Sequence, residues 1–387
     1  MEKKLNIGLF IDTFYPMVDG VIQVVNNYAL RMKDIANVTV FAPKARKEFD
    51  DSKLGYKVVR CKIMKLKGLD YDLPRPQKDK EFQKAIEDAK LDIIHIHSPF
   101  AVGKMGANYG KKHNIPVIAT FHSQYKRDFK KATKSNLIAW IMTKTIVSVF
   151  NKADLLLTMN PACCDLIKKY GYKGKTAIIP NGTDLKPDIN LENELKLIKE
   201  KHKINDEKVF ISIGRLIKLK NIDFVINVCK ILKDKNFNYR LLILGTGKDK
   251  KHFEKRVNKL KLNDKIEFVG IVTDAKMKSA YLKFADLNVF PSFYDTDGIV
   301  KIESATFGTP TIFAEGSIAS STCKNDFDGY VCKENADEFA NKIIEVFKDE
   351  QKYAEVCENA KKYMYVTWDD IVSKVYNIYL EQINLKK

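Results

Sequence analysis

Phe290-Pro-Ser-Phe-Tyr-Asp295-Thr-Asp-Gly298-Ile-Val-Lys-Ile-Glu303-Ser-Ala-Thr-Phe-Gly308-Thr-Pro310 is the stretch from which the fold can be read. An apolar run closes at Pro291-Ser292, an acidic glycine loop follows, and an apolar helix begins near Gly298 with Glu303 one turn inside. The free N–H groups at such a helix start suit a phosphate. Here they belong to Gly298, Ile299 and Val300, while Asp295 and Glu303 are spaced to accept hydrogen bonds from sugar hydroxyls. A plainer alternative makes Asp295 a helix cap and Glu303 a solvated side chain. It leaves the glycines and the stop at Pro310 unaccounted for.

Outward from this stretch, apolar β-rich runs alternate with longer helical patterns. Strands are expected at Val209–Ile213, Arg240–Leu244, Ile266–Val269, Leu287–Phe290, Thr311–Phe313 and Gly329–Cys332. An earlier series runs through Leu5–Ile11, Val38–Phe41, Val58–Cys61, Ile93–His97, Val117–Phe121, Leu155–Thr158 and Ala177–Ile179, with a helix over Gly20–Met32. Continuous runs such as Ile93-Ile94 and Val117-Ile118 suit strands covered on both faces, as in parallel sheets. The economical reading is α/β: two Rossmann-like, doubly wound parallel-sheet lobes in tandem. Domain boundaries are expected at 1–183, 184–366 and 367–387. The polar stretch Asp184–Lys208 reads as a connection plus one exposed helix, and Thr367-Trp-Asp-Asp370 as the start of a C-terminal helix reaching about Gln382.

Composition narrows the class. With 387 residues, 45% hydrophobic and 30% charged, the chain has material for sizeable cores and is neither disordered nor fibrous. The longest apolar stretch, Asn136–Phe150, is broken by Thr143-Lys-Thr145 and falls short of the ~20 residues that cross a bilayer. The N-terminus lacks the features of a signal peptide, which points to the cytoplasm. Seven scattered cysteines without a Cys-x-x-Cys pair support neither a disulfide framework nor a zinc site, so they are expected reduced, mostly buried and inert. No metal site is expected. The net charge of +18 is uneven: residues 1–183 hold 32 Lys and Arg against 17 Asp and Glu. Between Ala101 and Lys152 ten basic residues meet one acid, Asp128, which implies an anionic surface as partner.

Ligands of open parallel sheets bind at the carboxyl ends of the strands, so the candidate binding residues are those of the loops there. After the first strand, Thr13-Phe-Tyr-Pro-Met-Val-Asp-Gly20 ends where a helix begins, and Gly20 would let an amide approach a phosphate. After Ile213, Arg215 leaves the strand end and Lys220 stands where the next helix starts; together they could clamp a diphosphate, the alternative being a solvated charge run with Lys218. Gly245-Thr-Gly247 lacks the third glycine of a dinucleotide fingerprint, which argues against NAD. His95 and His97 alternate on one strand, so one should face the ligand crevice; His97 is placed there and His95 in the core.

Arg215 with Lys220, Asp295-x7-Glu303 and Gly308-Thr-Pro310 together resemble the retaining glycosyltransferases of family 4, two-lobed GT-B enzymes whose lobes face across a cleft. The resemblance extends to His97-Ser-Pro99, Thr120-Phe-His122, Pro180-Asn-Gly182 and the terminal helix, which would pack back toward the first lobe. It implies that Arg215 and Lys220 hold the donor diphosphate and stabilise the leaving nucleotide without a metal or other cofactor. It also implies that Glu303 binds ribose, that Ile299 and Val300 amides meet phosphate, that Gly20 approaches the diphosphate, and that His122 lies near the sugar. Asp295 takes the place of the family's first motif glutamate and is one methylene shorter, which leaves the hexose open.

The acceptor is expected on the basic first lobe. Lys126, Arg127, Lys130, Lys131 and Lys134 precede an apolar helix with Leu137, Ile138, Trp140, Ile141, Met142, Ile146, Val147 and Phe150, a combination that suits anionic lipid. The alternative keeps those apolar residues in the core. Asp12-Thr-Phe-Tyr-Pro…Gly20-Val and Asp295-Thr-Asp-Gly look similar to bacterial enzymes that glucosylate diacylglycerol, so UDP-glucose as donor and a lipid acceptor at the inner face of the membrane are expected. A capsular or other saccharide acceptor would share every donor motif. Nucleic acid as a partner is set aside, since the sequence holds no recognised module for it.

Overall fold

The computed structural model describes residues 4–17, 19–65 and 72–386. Met1–Lys3, part of the N-terminal reading, and Val18 in the first glycine loop lie outside the described residues. The chain divides into two compact units: residues 1–181 with 368–387, and residues 182–367.

The first unit is built on β1 (Asn6–Phe10), α1 (Gly20–Met32), β2 (Asn37–Pro43), β3 (Lys57–Cys61), the short pair β4 (Ile63–Met64) and β5 (Leu73–Pro74), and α2 (Lys80–Asp88). It continues with β6 (Ile93–Ile96), α3 (Ala101–Lys112), β7 (Val117–Thr120), α4 (Tyr125–Thr133), α5 (Asn136–Phe150), β8 (Leu155–Thr158), α6 (Pro161–Tyr170) and β9 (Thr176–Ile178). Seven strands form one sheet in the order β3-β2-β1-β6-β7-β8-β9. Every pairing in it is parallel. β6, β7 and β8 are buried at every position, which is why they read as unbroken apolar runs instead of alternating ones.

The second unit contains α7 (Glu192–His202), β10 (Lys208–Ile213), α8 (Ile222–Asp234), β11 (Tyr239–Leu244), α9 (Lys250–Lys259), β12 (Ile266–Gly270) and α10 (Ala275–Phe284). β13 (Leu287–Phe290), α11 (Ile299–Ala305), β14 (Thr311–Ala314), β15 (Tyr330–Cys332), α12 (Ala336–Val346) and α13 (Glu350–Tyr363) complete it. Its six strands run parallel in the order β12-β11-β10-β13-β14-β15. The helix expected to be exposed in the connection is α7, and it is seated: Leu191 and Ile198 are 1% exposed and share a core with Ile204, Val209 and Tyr281. The charge density that suggested a solvated helix occupies only its outer face.

The last helix, α14 (Trp368–Asn384), returns to the first unit. Ile371, Val375 and Tyr379 are fully buried there, and Arg31 of α1 donates to Asp369 at 2.6 Å. All seven cysteines are free, four of them buried. Among the described residues no helix is long and apolar enough to cross a membrane.

In each sheet the winding reverses once, between β1 and β6 and between β10 and β13. At such a reversal the flanking loops part and leave a crevice outside the carboxyl ends of the strands.

Candidate functional site

In the second unit the loops flanking the reversal follow β10 and β13. Ser212, Gly214, Arg215, Lys220, Pro291 and Ser292 line one hollow. Arg215 is exposed, with no side-chain partner among the described residues. Lys220 closes a single 3₁₀ turn, Lys218–Lys220, just before α8. Its ammonium donates to Asp295, and Ser292 Oγ donates to the other carboxylate oxygen. Both side chains of the pair are 17% exposed. One of the two cations expected to hold a diphosphate is therefore already matched with a carboxylate, and a dianion entering the hollow competes with Asp295 for Lys220. Gly245-Thr-Gly247 has a different use from the phosphate turn that Gly-x-Gly suggests: Gly245 has φ 132°, and a Cβ on it would lie 2.0 Å from the Gly214 carbonyl oxygen. It makes room for the segment bearing Arg215, which is tied down by Leu216 N–H donating to Thr246 O at 2.9 Å.

Gly298 precedes α11 with φ 77°, and a Cβ there would lie 2.7 Å from the Phe290 ring. Only glycine fits that turn, which brings the helix start against the end of β13. The amides of Ile299 and Val300 find no acceptor among the described residues, as first-turn amides do. Glu303 accepts from Lys278 Nζ of α10 at 2.6 Å. Beneath the turn, Lys301 and Asp297 form an ion pair at 2.6 Å, with side chains 4% and 2% exposed, and Lys301 also donates to Thr322 Oγ1 at 2.8 Å. Sequence reasoning passed over Lys278, which lies 25 residues from its partner and carries no local signal. Lys301 was legible as the i, i+4 partner of Asp297 inside the quoted stretch.

In the first unit, Gly20 opens α1 and space for a Cβ is open around it. Asp19 caps the helix by accepting from Ile22 N–H, so a carboxylate occupies the start where a phosphate was expected to meet amides. Asp12, to which no role was given, is buried at the end of β1. It accepts from the amides of Val102 at 2.7 Å and Gly103 at 3.2 Å, and from Ser98 Oγ at 2.9 Å, fastening the loop after β6 to the start of α3. Burial pushes its carboxyl up to about 6 against the pull of these donors.

The histidines correct the expectation that only one of them faces the crevice: residues two apart on a strand share a face, and His95 and His97 are both 0% exposed, with ring centroids 4.1 Å apart. His97 Nδ1 lies 3.2 Å from His122 Nε2. His122 is 8% exposed, and burial pulls its pKa down to about 3, so it is a neutral imidazole near pH 7.

The expected basic residues Lys126, Arg127, Lys130, Lys131 and Lys134 are all exposed, on α4 and the turn after it. α5 has two faces. Ala139, Thr143, Ile146, Val147 and Phe150 form the buried stripe, while Leu137 (67% exposed), Ile138, Trp140 (50%), Ile141 and Met142 face outward. The alternative that kept all its apolar residues in the core holds for the inner stripe alone. Lys144 Nζ stands 5.8 Å from the Trp140 ring centroid, close enough for a cation–π contact.

The model of Glycosyltransferase Family 4 matches residues 18–187, and that of Glycosyl transferases group 1 matches residues 195–363. The alpha-monoglucosyldiacylglycerol synthase of Streptococcus pneumoniae is 28% identical over 320 residues, covering 80% of this chain and 70% of that protein. The enzyme of the same name from Acholeplasma laidlawii is 24% identical over 376 residues, 92% of each chain. Among solved structures, Anabaena HepE in complex with UDP and glucose superposes with a TM-score of 0.77 at 17% identity, covering 97% of this chain and 99% of that one. With one family model on each lobe and this fold, the chain is a glycosyltransferase of family 4 with the GT-B architecture, a hexosyltransferase.

Proposed function

We propose that this enzyme transfers glucose from UDP-glucose to diacylglycerol or a glycosyl-diacylglycerol at an anionic membrane surface, with retention at the anomeric carbon. The observation that carries the lipid acceptor is the outer face of α5, where Leu137, Ile138, Trp140 and Ile141 stand exposed next to the cations of α4. Water-exposed apolar side chains of this size beside lysines suit an interface in which the rings and alkyl groups enter the acyl boundary and the ammonium groups meet lipid phosphates. The names of the two synthases similar to this chain agree with that acceptor, and UDP and glucose in the Anabaena protein agree with the donor.

In this reading Arg215 and Lys220 take the diphosphate, Lys220 leaving Asp295 for it, and the amides of Ile299 and Val300 add donors to phosphate oxygens. Glu303, held by Lys278, receives the ribose hydroxyls, and Asp295, once released, is free to accept from a sugar hydroxyl. As the C1–O bond to UDP breaks, the two cations stabilise the charge that develops on the leaving phosphate. That phosphate oxygen takes the proton of the acceptor hydroxyl, whose oxygen bonds C1 on the same face, so the products are UDP and an α-glucoside.

The test is release of free nucleotide from UDP-, GDP- and ADP-sugars, with EDTA, with and without vesicles of diacylglycerol and anionic lipid. Turnover of UDP-glucose that requires the vesicles and survives EDTA is expected. Turnover indifferent to vesicles overturns the lipid acceptor and moves the reaction to a soluble saccharide.

A further inference from the structure

We infer that Asp249 is a positioning residue of the donor site: its carboxylate caps the turn that presents Lys220 and so sets that cation in place for a diphosphate. The second half rests on the diphosphate role proposed above for Arg215 and Lys220. The inference starts from a turn without a cap of its own. The single 3₁₀ turn Lys218–Lys220 is preceded by Ile217, whose side chain holds no acceptor, and the amide of Lys218 at its start finds no partner within the turn. Asp249 supplies one from 31 residues away, accepting from Lys218 N–H at 2.9 Å. This acid stands immediately before α9, where an aspartate suits the capping of its own helix, yet its side chain makes no cap bond there. The carboxylate serves the other loop instead.

Backbone contacts hold the two loops in this register. Asp249 N–H donates to Leu216 O at 3.1 Å, and Leu216 N–H donates to Thr246 O at 2.9 Å. A Cβ on Gly247 would lie 2.3 Å from Leu216 O, so the turn after β11 sits close against the Arg215 segment. At the far end Lys220 N–H donates to Ile217 O at 2.9 Å, and Asn221, at φ 61°, donates through Nδ2 to Glu334 at 2.6 Å. The turn is thus pinned at its end by Asn221 and at its start by Asp249. With the start unpinned the turn can open, and Lys220 then loses its fixed place beside Arg215 in the hollow. Asp249 is not one of the residues lining that hollow, so it acts through Lys220 and not on the ligand.

The experiment uses the full chain and two readouts. The first is amide hydrogen exchange in the peptide covering residues 214–221. Asp249→Ala should speed it about tenfold, the scale of a lost cap, whereas Asp249→Asn, which keeps an oxygen able to accept from Lys218, should exchange as the native chain does. The second is the ratio of the dissociation constants of UMP and UDP, which isolates the second phosphate. Asp249→Ala should lower this ratio about tenfold with UMP binding unchanged, and Asp249→Asn should keep it. A mere loss of folded protein would weaken both nucleotides alike and leave the ratio in place. Unchanged exchange in Asp249→Ala overturns the inference. So does faster exchange with an unchanged ratio, provided that Lys220→Ala lowers the ratio. A ratio that Lys220→Ala leaves unchanged, or a native chain that binds UDP no tighter than UMP, overturns instead the diphosphate role and with it the second half. Should Asp249→Ala fail to fold, Asp249→Ser, which can cap α9 but falls one bond short of Lys218, takes its place with the same expectations.

Discussion

Lys220 and Asp295 meet although 75 residues separate them, and each was chosen from the sequence for a different task. Lys220 was expected to hold phosphate and Asp295 to touch sugar; in the folded chain they satisfy each other. In the proposed donor complex Lys220 leaves Asp295 for the diphosphate, at a cost in donor affinity. Lys220→Ala should lower kcat/KM by about 100-fold or more, the scale of a lost transition-state charge contact. Its melting temperature should change by only a few degrees, because the pair is not fully buried. A variant with near-native turnover, measured by UDP release, would remove Lys220 from the leaving-group role. The buried histidines give a second prediction. Burial holds His95, His97 and His122 below the ordinary value of 6.5, so in the unfolded chain they take up protons that the folded chain refuses. Stability should be full above about pH 6.5 and fall as the pH drops below it, at about 1.4 kcal/mol per pH unit for each net proton. Asp12, raised to about 6, works in the opposite sense by one proton and does not cancel three. Melting temperatures from pH 7.5 to 5 should therefore decline, and decline less steeply in His97→Leu.

At the scale of elements, α5 shows what periodicity can and cannot resolve. Its sequence is apolar nearly all round, and both a core helix and an interfacial one were open readings. Packing decides: the stripe Ala139, Thr143, Ile146, Phe150 is buried where α5 meets α3, α4 and α6, and the opposite face keeps Leu137, Ile138, Trp140 and Ile141 in water. These four carry little of the fold, so Leu137→Ser with Ile141→Ser should leave the melting temperature within a few degrees of native while weakening vesicle binding. Lys130→Glu with Lys131→Glu should lower the affinity for anionic vesicles by at least tenfold, at ~1 kcal/mol per cation near the surface, and less so in high salt. Sedimentation with vesicles of graded anionic content measures both. Binding unchanged in both variants would detach this face from the membrane. The element α11 starts as a helix after Gly298, as the sequence suggested, yet the buried pair Lys301–Asp297 beneath it is a packing fact that local spacing only hinted at.

At the scale of the whole molecule, the two units are not equally self-contained. The second is one continuous segment, residues 182–367, whereas the first needs α14 from the far end of the chain. Tyr379, Trp368, Ile371, Val372 and Val375 of α14 are all buried. A fragment of residues 182–367 is therefore expected to be soluble and to melt cooperatively, and a fragment of residues 1–181 to aggregate or melt without cooperativity. Circular dichroism melts of the two check this, and a cooperatively folded 1–181 fragment would show that α14 is dispensable to its unit. In the intact chain, Tyr379→Phe should cost about 1–3 kcal/mol, since it leaves His95 Nδ1 buried without its partner.

Much of this protein was determined locally. The unbroken apolar strands, the turn that only Gly298 fits and the acid–base composition around α4 are properties of short segments, and short segments impose them through backbone sterics, periodicity and charge. The two doubly wound sheets and the family followed from those. Tertiary structure alone decided what depends on residues distant in sequence: that Lys220 is matched to Asp295, that Glu303 is held by Lys278, that Gly245 seats the Arg215 segment, and which face of α5 is wet. Residues two apart on a strand share a face, so His95 and His97 lie side by side and no alternation separates them. That this face is closed to solvent was decided by what packs over it from distant parts of the chain, Tyr28 of α1 and Tyr379 of α14.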